Sequence, residues 1–369
     1  RNGTVARVAS SGISGEIGQP DKTVTRLKAA RGTFDTKTST LDLTDGIDIA
    51  ADNGLMARLA SARVLTKDSI VESAEPVRVE LPAGSIRGNA MLLKQKQRHV
   101  TFTGGVAARL NPQPPRTDAG GKAAPARTPG GMGRSEGPVD VTAEQLVVDD
   151  AAKTATFLGS VKARQGESQL ESAELEITYS GDAVAAGGAG AGAAAGGAQA
   201  ASKVRSIVSR TPVVLSQGLD RVTAEQAHFD VEAERARLVG QVAMASGADR
   251  RATADAADLD QKADTALLTG AVHVVQGKNE LRGRRLFIDR KAGRSQLTSP
   301  AAQGQATGRI AARFVPAESE RKGGKSKAAA PAGAALAVAE GAGTGLLGGL
   351  GMASFKTNPD APIQIDAER

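Results

Sequence analysis

Val141-Thr-Ala-Glu-Gln-Leu-Val-Val-Asp149-Asp-Ala-Ala-Lys-Thr-Ala-Thr-Phe157-Leu-Gly159-Ser-Val161 holds two alternating runs on either side of a polar turn. Before Asp149, Leu146 and Val148 stand two apart. After it, Ala155, Phe157, Gly159, Val161 and Ala163 are small or apolar at every second place, with mixed and often polar residues between them. A period of two along 155–163 predicts a long β-strand with one buried face. The short polar stretch from Asp150 to Lys153 between the two runs predicts a hairpin turn.

The pattern recurs. Segments 222–242, 252–272 and 281–301 align with it on Asp230, Asp260 and Asp289. Segment 27–47 aligns on Asp35, and 86–106 carries Lys94 in that place. One residue before the anchor stand Phe34, Leu93, Val148, Phe229, Leu259 and Ile288. Eight after it stand Leu43, Phe102, Phe157, Leu238, Leu268 and Leu297; twelve after it, Ile47, Val106, Val161, Val242, Val272 and Ala301. All are apolar, so each unit is a hairpin of the same make.

Ten after the anchor, Gly104, Gly159, Gly240 and Gly270 interrupt the strand, with Gly46 one place late and Ser299 in the last unit. A glycine inside a strand marks a bulge or a place of close approach. At one level in successive hairpins it is either a kink or the floor of a groove. The anchor Asp starts a turn in each unit that has it, which is the place of a backbone cap. Lys94 in its place and the lack of a second fixed carboxylate speak against a metal. His99, His228 and His273 fall at different points of their units, so no residue set reads as catalytic and no cofactor or metal is expected.

The composition agrees. Of 369 residues, 40% are hydrophobic but only 2% aromatic, so the core is built from Ala, Val, Leu and Ile. No Cys is present, which excludes a disulfide scaffold and a thiolate metal site. No apolar run reaches the roughly 18 residues of a membrane helix. The net charge of +7 suits an anionic partner. Nucleic acid is disfavoured, because single-strand binding uses stacked aromatics and the chain has one Tyr and no Trp.

Three stretches fall outside the repeat. Asn111 to Pro138, rich in Pro, Gly and Ala, reads as a linker. Gly181 to Ser202, almost pure Ala and Gly, reads as an insertion between strands; its Gly-x-Gly pairs lack the strand, helix and Lys of a phosphate loop. Beyond Glu318 a basic cluster leads into an Ala/Gly tract, with a helix expected over 328–340.

Long hairpins without helices favour a sandwich, jellyroll or solenoid. At this point the residues resemble a known family. Val141–Asp149, Ala155-Thr-Phe-Leu-Gly-Ser-Val-Lys-Ala-Arg-Gln-Gly166 and Leu170–Tyr179 resemble the OstA-type domain of LptA, a periplasmic protein of lipopolysaccharide transport. Ala29–Asp35, Leu41–Ile47, Gly84–Ala90 and Val100–Val106 resemble the periplasmic domain of LptC. The resemblance implies an all-β fold of two open β-jellyroll, OstA-like modules built of repeated long hairpins and joined by a Pro/Gly-rich linker. Their boundaries are an LptC-like module at 1–110, a linker at 111–137, an LptA-like module at 138–316 with its insertion at 181–202, and a low-complexity tail at 317–369. In that family the two modules are usually separate chains.

The function so implied is a non-catalytic bridge that carries lipopolysaccharide from inner to outer membrane with its acyl chains in an apolar groove. The lining expected is Phe34, Leu93, Phe102, Val106, Leu146, Val148, Phe157, Val161, Phe229, Leu238, Val242, Leu259, Leu268, Val272 and Ile288. The partners implied are lipid A acyl chains, the inner-membrane Lpt ABC transporter complex, the N-terminal domain of outer-membrane LptD, and further copies of the chain through edge strands. The location implied is the periplasm, with a membrane anchor expected ahead of the first module. The competing reading is a structural or adhesive cell-surface repeat with a dry core. A carboxylate at position 157 distinguishes them: an open slot tolerates it and a dry core does not.

Overall fold

The computed structural model describes residues 7–18, 24–52, 54–82, 84–111, 137–180, 203–289, 291–299, 310–313, 335–338 and 355–358. The chain divides into two compact units, one of residues 1–124 and 132–209, the other of residues 125–131 and 210–369.

In the first unit the strands are β1 (Arg7–Gly18), β2 (Val24–Asp35), β3 (Thr40–Ala51), β4 (Met56–Leu59), β5 (Ala62–Leu65), β6 (Ile70–Ser73), β7 (Val77–Leu81), β8 (Gly84–Gly88), β9 (Ala90–Lys94), β10 (His99–Leu110), β11 (Val139–Asp149), β12 (Thr154–Gln165), β13 (Ser168–Ser180) and β14 (Lys203–Ser209). The second holds β15 (Val213–Gln217), β16 (Asp220–Ala224), β17 (Gln226–Asp230), β18 (Arg235–Ser246), β19 (Arg250–Asp260), β20 (Thr265–Gln276), β21 (Asn279–Asp289), β22 (Arg294–Thr298) and β23 (Ala311–Arg313). It also holds β24 (Ala335–Val338) and β25 (Phe355–Asn358), which pair antiparallel. The helix expected over 328–340 is thus replaced in part by a strand. A short isolated helix is marginal in water, whereas β24 gains the backbone hydrogen bonds of a partner.

Each turn has the chemistry the anchor predicts. Asp149 Oδ1 accepts the N–H of Ala151 at 3.0 Å and of Ala152 at 2.9 Å. Asp230, Asp260 and Asp289 accept those of Ala233, Ala263 and Ala292, each at 2.8 Å. The Lys94 unit replaces this cap with a 3-10 turn, Gln95–Gln97. Four residues after every anchor the backbone is left-handed: Ser39, Arg98, Lys153, Glu234, Asp264 and Gly293 have φ between 53° and 63°.

The long strands bend at the glycines. Gly104, Gly159, Gly240 and Gly270 have φ of +79°, +77°, +81° and +99°. At each, the glycine strand has one residue more than its neighbour between paired positions: Gly159 and Ser160 face Ala173 alone between Leu158↔Glu174 and Val161↔Ser172. These are β-bulges, the first of the two readings of the glycines. Three of the bulged strands, β3, β10 and β18, change one partner at the bulge. Thr40–Leu43 of β3 pair with β5 and Ile47–Ala50 with β4. His99–Thr103 of β10 pair with β9 and Ala107–Leu110 with β8. Arg235–Val239 of β18 pair with β17, and Ala243–Ser246 with β16. These three strands are each shared by two short strands on one side, whereas β12 and β20 keep the same neighbours on either side of Gly159 and Gly270.

A carboxylate or amide from the preceding strand, or from the break between two short ones, covers each bulge. Ser160 Oγ hydrogen-bonds Glu144 Oε1 at 3.0 Å, Gln241 Nε2 donates to Glu225 Oε1 at 2.9 Å, and the Ala271 N–H donates to Asp255 Oδ2 at 3.1 Å. Asn89 Nδ2 donates to the Gly104 carbonyl in the same way. This accounts for the acid that follows Ala143, Ala224 and Ala254 in the repeat.

The strands on either side of the expected linker form one ladder, which the sequence does not announce. β10 pairs antiparallel with β11 from His99↔Asp149 to Leu110↔Val139. Residues 112–136, 181–202 and most of the tail lie outside the described residues. At the end of this ladder Asp150 is buried, its side chain 4% exposed. It pairs with the Arg98 guanidinium, with Lys153 Nζ at 3.1 Å and with the Tyr179 hydroxyl at 3.3 Å, and its N–H donates to the Arg98 carbonyl at 3.0 Å. Burial, with Asp150 alongside, pushes the Tyr179 hydroxyl pKa up, so it stays a donor. Asp150→Ala leaves two cations without their carboxylate. The expected loss of stability is about 2–3 kcal/mol, less than for a fully buried pair because Arg98 keeps 37% of its side chain exposed. Urea unfolding read by circular dichroism measures it.

Candidate functional site

Alternation and register together assemble apolar rows across the strands. One row runs Met91, Phe102, Leu146, Phe157 and Leu175, each directly opposite the next on β9, β10, β11, β12 and β13. A second runs Leu93, Val100, Val148, Ala155 and Ile177. In the second unit Phe229, Ala236, Leu259, Ala266 and Ile288 form a row on β17 to β21. Ala227, Leu238, Ala257, Leu268 and Leu286 form the next. In the second unit alanines stand between the larger Phe, Leu and Ile residues of these rows, whereas the first-unit row through Phe102 and Phe157 is large throughout.

Of the fifteen residues expected to line a groove, thirteen are buried: all but Phe34 and Leu259, which are half-buried. Those of the first unit and those of the second are brought together within their own units. The sequence reading missed Leu170, Leu175, Ile177 and Tyr179 of β13, which are buried on the same face as Phe157. Their alternation along 175–179 was the available signal. Among the described residues Asp150 is the one buried charged side chain, held by Arg98, Lys153 and Tyr179, and no group of three or more His, Cys, Asp or Glu gathers as a metal site. His273 Nε2 lies 2.6 Å from Glu280 Oε1 on the outer surface, where Arg282 shares the carboxylate. Among the described residues no helix is long and apolar enough to cross a membrane.

The turn carboxylates carry the clearest titration behaviour. Asp260 is held below the usual carboxylate range, chiefly because the Ala263 N–H donates to it and because Arg235 pairs with it at 2.9 Å. A folded pKa below the unfolded one gives stability that is present above the ordinary value of 3.8 and is lost as pH falls through the folded value. Asp35, held down first by the Thr38 N–H, acts in the same direction. Asp260→Asn is therefore expected to flatten the acid limb of a stability–pH curve below about pH 4. An acid titration at fixed urea, followed by circular dichroism, checks it.

The family model described as "LptA/(LptD N-terminal domain) LPS transport protein" matches residues 140–253 and 251–329, just over half of the chain. The chain belongs to this LptA/LptD N-terminal-domain family. A second family model, "Lipopolysaccharide-assembly, LptC-related", matches residues 14–111. The chain is thus an LptC-like segment continued by an LptA-like one, and the all-β character expected of both holds. The crystal structure of LptH, the LptA homologous periplasmic component of the conserved lipopolysaccharide transport device from Pseudomonas aeruginosa, is 15% identical over 49% of this chain and 96% of its own, with a TM-score of 0.25. No curated protein matches the chain. In the terms of this Lpt family, the β10–β11 ladder is the place where the LptC-like segment passes into the LptA-like one.

Proposed function

We propose that the chain is a non-catalytic periplasmic bridge for lipopolysaccharide, with the lipid acyl chains held along the apolar rows. One observation carries the reading. The row Met91–Phe102–Leu146–Phe157–Leu175 crosses the β10–β11 ladder without a polar interruption, so the LptC-like and LptA-like parts share one apolar face. Burial of acyl methylenes on such a face is worth about 0.8 kcal/mol each, which supports holding a lipid but needs no chemistry.

The partners proposed are the inner-membrane Lpt ABC transporter complex at one end and the LptD N-terminal domain at the other. Edge-strand pairing is the means. Among the described residues β1 pairs with β2 alone, and its other edge offers backbone groups to a partner strand or a further copy. A dry structural repeat is the second reading, favoured by Leu146 and Val161, each only 1% exposed.

A photoreactive residue placed at 102, 157 and 229, with exposed position 162 as control, tests the proposal against purified lipopolysaccharide. Adducts at the interior positions and not at 162 are expected. Adducts at none of the three, with the protein folded, would leave the dry repeat.

A further inference from the structure

The outer face of the first unit carries a row of like charges. Arg58 of β4, Arg78 of β7 and Arg87 of β8 stand directly opposite one another in register, Arg58↔Arg78↔Arg87. Like charges in this arrangement destabilise a sheet. The neighbouring row is balanced, with Glu80 opposite Met56 and Ser85, and Arg109 opposite Asp140. A local rule broken on three adjacent strands is characteristic of a functional site.

The arginines rim a trough of about 410 Å³ whose remaining lining includes Pro76, Gly88, Asn89, Gly105 and Ala107. Gly105 lies in the β10 bulge and Asn89 in the break between β8 and β9, so small side chains and irregular backbone leave space beside the guanidinium groups. The existing ion pairs are weak competitors. Arg58 Nε lies 3.2 Å from Asp48 and Arg78 Nε 2.7 Å from Glu80, all four side chains at least a third exposed. Exposed pairs of this kind contribute about 0–1 kcal/mol. The Asn89 amide is already committed to the Gly104 carbonyl.

We propose that Arg58, Arg78 and Arg87 form an anion site that takes a phosphorylated group, with two phosphates spanning the row. Guanidinium groups match phosphate oxygens in bidentate geometry, and three in line suit a diphosphate or a bis-phosphorylated head group better than a single ion. The site lies on the face opposite the apolar rows and stands independently of the lipid path.

Titration of the full chain with sodium pyrophosphate at low ionic strength tests it, beside flotation with phosphatidylcholine vesicles with and without phosphatidic acid. Pyrophosphate is expected to bind and to raise the melting temperature. The variant Arg58→Gln/Arg78→Gln/Arg87→Gln is expected to bind roughly tenfold more weakly. It should also melt higher than wild type in phosphate-free, low-salt buffer, because the repulsion is gone. Arg109→Gln, which removes a charge outside the trough, should bind as wild type. Binding to phosphatidic acid vesicles alone, lost in the triple variant, assigns the site to a lipid head group; pyrophosphate binding lost in that variant extends it to free phosphates. The proposal is overturned if neither probe binds, if the triple variant binds as wild type, or if Arg109→Gln loses as much. Crosslinking from position 157 reports on the bridge reading separately, whatever the outcome here.

Discussion

Phe157→Asp is expected to lower the stability of the lipid-free protein by about 4 kcal/mol or more. Phe157 is 3% exposed, with Leu146 and Leu175 directly opposite it on the two neighbouring strands. A carboxylate there meets neither water nor a cation, and an uncompensated buried charge is among the costliest single changes. Lys162→Asp, on the exposed face of the same strand, gives the comparison, with an expected change within about 0.5 kcal/mol. Urea midpoints for the two variants are the measurement. The expected loss replaces the sequence-based expectation of a tolerated carboxylate: in the lipid-free protein Phe157 is packed away from water, so the loss is expected under both readings, and lipid crosslinking rather than stability separates the bridge from the dry repeat.

Gly159→Ala should cost roughly 2–4 kcal/mol through two separate causes. The backbone at φ +77° disfavours any Cβ, and the new Cβ would lie 2.8 Å from the Cβ of Glu144, which side-chain rotation cannot relieve. Gly166→Ala separates the causes. Its φ is +57° but nothing lies within 4 Å of the new Cβ, so only the backbone penalty of about 1 kcal/mol remains. Equal losses at the two positions would show that the contact with Glu144 carries no weight. Gly240 repeats the arrangement, with the Glu225 Cβ at 2.7 Å, and should behave like Gly159.

How much of this could be read from the chain depends on range. The anchor aspartates announce their turns because the cap is made within three residues of the Asp. The buried face follows from alternation, and Phe102, Phe157 and Leu238 all stand where the period of two puts them. The glycines signalled an irregularity but not its kind, because a bulge is defined by what the neighbouring strand does. Once Glu144, Glu225 and Asp255 are seen over the bulges, their regular place five residues before each anchor explains itself.

The short strands β4 to β7 escaped because segment 52–82 does not follow the repeat; β4 and β5 each pair with half of β3, and β6 and β7 pair with other short strands. Asp150 read as one more polar turn residue. Its burial is decided by Arg98 and Tyr179, distant in sequence, and no local pattern encodes that. The pairing of β10 with β11 belongs to the same class, since the pattern of either strand fits many partners.

That pairing has a consequence for supply. A junction between two separate chains is populated only as their concentrations allow, and it thins out on dilution. Here both strands belong to one molecule. The encounter is unimolecular, and joining two partners in one chain typically sustains an effective concentration in the millimolar range. The junction therefore persists at any expression level, its two halves always present in a one-to-one ratio, and no competing copy can displace either half without first outbidding its own covalent neighbour.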